Sequence, residues 1–138
     1  MKGLTIDQIN VGDSAEFSKT ITESDIYQFA GITGDFNPAH INAEYAKNTI
    51  FEARIAHGML ISSLFSTILG TSLPGPGTIY MGQEVRFVKP VYINDTITAV
   101  LTVIDIIEEK NRLKLETVAT NQNGEIVVQG NATVMAPK

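Results

Sequence analysis

The sequence predicts an α+β fold, an antiparallel sheet of about five strands wrapped around one long buried helix. Two observations carry that expectation. Between Ala56 and Leu69 no Asp, Glu, Lys or Arg occurs, and Met59, Leu60, Ile61, Leu64, Phe65, Ile68 and Leu69 cover most of a helix circumference. From Val85 onward, apolar and polar residues alternate in runs separated only by short turns.

The elements follow in order. Ala15, Phe17 and Ile21 alternate with Ser14, Glu16, Ser18 and Thr20, a half-buried strand whose apolar face is interrupted by Lys19, as at a sheet edge. Thr22 and Asp25 make a capping-box start. Ile26, Phe29 and Ala30 then recur at helical spacing, predicting a helix over Glu23–Thr33 that Gly34 ends. Ala43 to Lys47 suits one helical turn. The uncharged segment from Ala56 to Leu69 predicts a helix about 21 Å long, buried on nearly all sides, with Gly70 as its stop. One stripe breaks its apolar coat: Gly58, Ser62 and Ser66, at i, i+4 and i+8.

A Pro/Gly-rich loop, Leu73-Pro74-Gly75-Pro76-Gly77, comes next. Val85 and Phe87 open the strand region. Ile97, Ala99, Leu101 and Val103 alternate with threonines, Leu113 and Leu115 follow, and Ile126, Val128, Ala132 and Val134 close it. Turns fall at Asn94-Asp95, Glu109 to Asn111 and Asn123-Gly124, the last a strong hairpin signal. Short turns make the sheet antiparallel, and its apolar face needs a partner, which the buried helix supplies. A sheet curled around one apolar helix is the arrangement known as a hot-dog fold. An open edge strand in such a sheet is a liability that pairing two copies removes, so the small size and the uncharged stretch Thr78 to Met81 predict a homodimer.

Composition bounds the function. At 138 residues the chain suits one domain, and 43% apolar with 18% charged residues is globular rather than disordered. The absence of cysteine excludes disulfides, thiolate nucleophiles and Cys-ligated zinc, and two histidines are too few for a His-rich site, so no metal cofactor is expected. Met1 to Asp13 lacks the apolar run of a signal peptide, and no stretch approaches the ~20 apolar residues of a membrane span. The net charge is −5 with ten scattered basic residues, which argues against a nucleic-acid surface. The expectation is a cytoplasmic protein with no membrane or nucleic-acid partner.

The segment Asp35-Phe36-Asn37-Pro38-Ala39-His40 carries the chemistry. It sets a carboxylate and an imidazole five positions apart across a turn that Pro38 stiffens, holding two proton-transfer groups at a repeatable separation. By itself Asp-x-Asn-Pro is also ordinary turn chemistry. The start of the long helix adds a second feature, because Gly58 lies where unpaired N–H groups attract negative charge.

The run from Phe29 to His40, followed by Ala46, resembles the signature of the MaoC-like dehydratases, specifically the (R)-specific enoyl-CoA hydratases. Val11-Gly12-Asp13, His57-Gly58-Met59-Leu60, Phe87 with Pro90-Val91, and Asp95-Thr96 extend the likeness from about Val11 to Val134. Two departures stand out: Ala39 is smaller than the branched residue often found there, and Asn94 replaces a frequent glycine, which Asn tolerates by visiting left-handed angles. Neither touches the proton-transfer groups.

The resemblance implies reversible hydration of a trans-2-enoyl-CoA to an (R)-3-hydroxyacyl-CoA, with coenzyme A part of the substrate and no other cofactor. It makes Asp35 and His40 the catalytic pair, assigned jointly, and Gly58 N–H the ligand of the thioester oxygen. An apolar acyl tunnel beside Asp35 would raise its pKa toward that of a useful base. Asn37 either orients Asp35 or the substrate or serves the turn alone; Ser66 matches a family serine near the active site. His57 matches a family position too and is expected as a satisfied core histidine. Leu69 is expected at the tunnel floor. Arg54, Arg86 and Lys89 are candidates for the nucleotide phosphates, undistinguished from ordinary surface charges. Three other readings stay open: dehydration of a 3-hydroxyacyl group on acyl carrier protein, which a basic tunnel mouth would favour, thioester hydrolysis, and non-catalytic acyl-CoA sensing.

Overall fold

Alternating side chains on β3, Thr96–Ile107, decide where the core lies. Ile97, Ala99, Leu101 and Val103 are all buried on one face, and on β4, Arg112–Thr120, Leu113, Leu115, Thr117 and Ala119 repeat the pattern. The computed structural model describes residues 1–138. Its sheet also contains β1, Ser14–Thr20, β2, Ile79–Phe87, and β5, Ile126–Met135, in the order β1-β3-β4-β5-β2 with every pairing antiparallel. The edge expected from Lys19 is there, and Lys19 Nζ pairs with Asp25 at 3.1 Å. The opposite edge is β2, which bonds only to β5.

Against the concave face lies α4, Gly58–Thr71, which buries Ile61, Leu64, Phe65, Ile68 and Leu69 in a single cluster of 23 apolar residues. Each such side chain removed from water contributes about 1.5–3 kcal/mol. This is the hot-dog arrangement. The helix begins at Gly58, where its unpaired N–H groups were expected, because His57 holds a ψ of 133° outside the helical region. It differs from the expected one in two respects. It passes through Gly70, which keeps a negative φ, and ends at Thr71, with Ser72 as its C-cap two residues before Pro74. It is also not buried all round, since Met59, Ser63 and Ser66 face outward.

The helix α1 covers Glu23–Thr33 as expected, with the reciprocal Thr22–Asp25 capping box and Gly34 in the left-handed region at φ 81°. Downstream, the stiff turn proves to be a helix start. Asn37 Oδ1 accepts from the Ala39 N–H, Pro38 occupies the first helical position, and a short α2 runs over Pro38–Ile41. The one-turn α3, Ala43–Ala46, follows.

Candidate active site

Asp35 is held by its own loop. Its N–H donates to Thr33 Oγ1 at 3.1 Å, and its Oδ1 accepts from the Asn37 N–H at 3.1 Å, an Asx turn that leaves Oδ2 free of that bond. His40 hangs from the last turn of α2 and is buried. Its Nδ1 lies 2.7 Å from the Ile55 carbonyl oxygen, and because a carbonyl only accepts, Nδ1 carries the proton and Nε2 is the ring nitrogen left for chemistry. A carboxylate oxygen of Asp35 and one nitrogen each of His40 and His57 lie within 4.8 Å of one another.

His57 was expected only as a core histidine. It is indeed buried, 2% exposed, yet it is also part of this cluster. Its Nε2 donates to the Asp35 carbonyl oxygen at 2.9 Å and stands 4.0 Å from Asp35 Oδ2, while its ring stacks on His40 with centroids 3.8 Å apart. No local pattern announces this contact between residues 22 apart; only the position of His57 directly before Gly58 hinted at it.

Gly58, the first residue of α4, makes no backbone hydrogen bond through its N–H. Asp35, His40, His57 and Gly58 line one cavity of about 600 Å³ whose other walls are largely apolar, among them Phe29, Phe51, Met59, Ile61, Phe87 and Val128. A carboxylate, an imidazole and a free helix N–H therefore share one greasy chamber. Asp35 is less enclosed than the tunnel expectation required, its side chain being 52% exposed.

The remaining expected positions separate. Asn37 lines no part of the cavity; its amide caps α2. Ser66 is exposed and outside the lining, whereas its stripe neighbour Ser62 is buried and donates to the Gly58 carbonyl at 3.2 Å. Leu69 lies in the core, away from the cavity. Arg54 is held by Glu23 at 2.7 Å and by the Tyr27 hydroxyl at 2.8 Å. The Arg54 hydrogen bond keeps the Glu23 carboxyl below the usual carboxylate value. Arg86 lines a different, polar pocket with Glu84 and Glu116. Lys89 does reach the cavity wall, paired with Glu125.

The Asp35, His40 and His57 ligand set is the one place a metal ion would find an oxygen and two nitrogens close together. Two of its four ring nitrogens are already engaged, His40 Nδ1 and His57 Nε2 each facing a carbonyl oxygen.

Fold and site together define an enzyme of the hydratase and dehydratase class built on a hot-dog scaffold. A family model for the MaoC like domain matches residues 8–126, and the chain belongs to that family. It is 50% identical over 131 residues to the (R)-specific enoyl-CoA hydratase of Rhodospirillum rubrum, spanning 95% of this chain and 90% of that one. The (R)-specific enoyl-CoA hydratase of Aeromonas caviae is 40% identical over 134 residues, 97% of this chain and all of its own. Unliganded R-hydratase PhaJ1 from Pseudomonas aeruginosa superposes with a TM-score of 0.94 at 44% identity, over 99% of this chain and 88% of that one.

Proposed function

We propose that this chain is an (R)-specific enoyl-CoA hydratase, adding water reversibly to trans-2-enoyl-CoA to give (R)-3-hydroxyacyl-CoA. The observation that carries this reading is the convergence of the Asp35 carboxylate, the His40 imidazole and the Gly58 N–H on one apolar cavity. Water held between Asp35 and His40 attacks C3 as one of its protons passes to the pair. The electron pair displaced from the alkene moves onto the thioester oxygen, where Gly58 N–H at the positive end of α4 receives it. A proton from the pair then reaches C2, and the thioester carbonyl re-forms. The reaction as proposed uses neither metal nor further cofactor.

Coenzyme A is the carrier in this reading, supported by the two similar (R)-specific enoyl-CoA hydratases described above. Lys89, the only Lys or Arg in the cavity lining, is paired with Glu125. The working unit in this reading is a cytoplasmic homodimer joined along β2, whose free edge presents Ile79, Tyr80 and Met81 to solvent in the single chain.

The test follows crotonyl-CoA by the fall of its enoyl absorbance. Wild-type protein is expected to consume it, with the product invisible to an (S)-specific dehydrogenase. An unchanged absorbance overturns the hydratase reading, release of free thiol replaces it with thioester hydrolysis, and efficient (S)-specific oxidation overturns the stereochemistry.

A further inference from the structure

We propose that His57 is the positioning residue of the site, a buried imidazole that fixes the Asp35–His40 pair relative to the Gly58 N–H. This deepens the hydratase reading and rests on it. Three observations carry it. First, His57 spends a ring donor on Asp35: the Asp35 carbonyl oxygen only accepts, so at 2.9 Å Nε2 carries a proton. Second, the ring stacks on His40 at 3.8 Å, so one side chain touches both members of the pair. Third, its carbonyl carbon is bonded to the Gly58 nitrogen, so the residue whose ring contacts the pair also carries the peptide bond of the oxyanion N–H.

Simpler roles do not account for the residue. His57 occupies the N-cap position of α4, where a Ser, Thr, Asp or Asn side chain would bond the helix N–H groups, yet its imidazole makes no capping bond and turns toward Asp35 instead. Nor is it there to fill space. Its Nδ1 is buried without a partner, a burden that a phenylalanine or leucine in the same volume would not carry. A buried ring that leaves one nitrogen unsatisfied in order to hold a catalytic loop with the other is working for the site.

Two variants test this in the crotonyl-CoA assay. His57→Phe keeps a ring between Phe29 and His40 but removes the donor to Asp35. His57→Gln loses the stack and keeps an N–H of similar reach. Loss of alignment is expected to lower kcat of His57→Phe about 100-fold while KM stays within about threefold and Tm is unchanged or higher. His57→Gln is expected to recover at least tenfold of that loss. A His57→Phe enzyme with kcat within twofold of wild type overturns the proposal. So does a fall of Tm and kcat together in both variants, without recovery in His57→Gln, because a purely structural residue behaves that way. Wild-type activity in the same assay separates these outcomes from failure of the hydratase reading, in which no protein consumes the substrate.

Discussion

The ring of Phe87 lies directly on the α-carbon of Gly58, so close that a β-carbon at Gly58 would sit 2.6 Å from Cδ1 and 2.7 Å from Cε1 of the ring. A side chain at this helix start would thus have to displace the ring of Phe87 on β2. Phe87 is itself 55% exposed at the end of its strand, so the ring has somewhere to go. Gly58→Ala is expected to fold normally and to displace the ring across the N–H that receives the thioester oxygen in the proposed reaction. Loss of that donor lowers kcat/KM about 100-fold. Gly58→Ala combined with Phe87→Ala relieves the clash and is expected to recover part of the activity; a double variant no better than Gly58→Ala alone excludes Phe87 as the obstacle.

Asp35 and His40 share one pool of protons in the proposed reaction. Asp35→Asn and His40→Ala are each expected to cost about 10²–10⁴ in kcat. Because neither group transfers a proton usefully without the other, the double variant is expected to be no worse than the poorer single one. Multiplicative losses, measured by single-turnover hydration of crotonyl-CoA, would show two independent groups.

The uneven legibility of these features in the sequence has a physical basis. The helix α1 was readable to the residue because Thr22, Asp25 and Gly34 act on backbone groups three or four positions away. The core faces of β3 and β4 were readable because strand periodicity is local. The C-terminal end of α4 was not: Gly70 continues the helix because it packs against nothing that would require a left-handed turn. The stripe of Gly58, Ser62 and Ser66 split for a similar reason, since exposure depends on where the sheet stops covering the helix. Asp35 and His40 were singled out from spacing and family likeness, whereas the contacts of His57 and Phe87 join distant segments and leave no trace in either one's neighbours.

The β2 edge gives a prediction about assembly. Ile79 and Met81 are exposed on a strand that has unpaired backbone groups on its outer side, and a lysine there is a common means of discouraging edge pairing. Ile79→Lys with Met81→Lys is expected to halve the mass found by light scattering at micromolar concentration while circular dichroism stays unchanged. A wild-type protein that is already monomeric under those conditions removes the homodimer from the proposal.

Asp25 ties the first strand to the first helix, and its charge makes that tie depend on pH. Its Oδ2 accepts from the Thr22 N–H at 2.9 Å and lies 3.1 Å from Lys19 Nζ, with the side chain only 19% exposed. Partial burial alone would raise its pKa, but the Thr22 hydrogen bonds and Lys19 outweigh it and hold the group below the usual 3.8. A folded-state pKa below the unfolded one means that the ionised form favours folding. The contribution is therefore complete above the unfolded value of about 3.9 and disappears as pH falls through the lower folded value. Asp25→Asn keeps a capping oxygen and removes the charge, so at neutral pH it is expected to cost about 1 kcal/mol, seen as a Tm lower by about 4 °C. In strong acid the wild-type carboxyl is protonated as well, and the two melting curves are expected to converge. A Tm difference that persists undiminished into strong acid would mean that the charge contributes nothing and that the amide disturbs the cap by its shape.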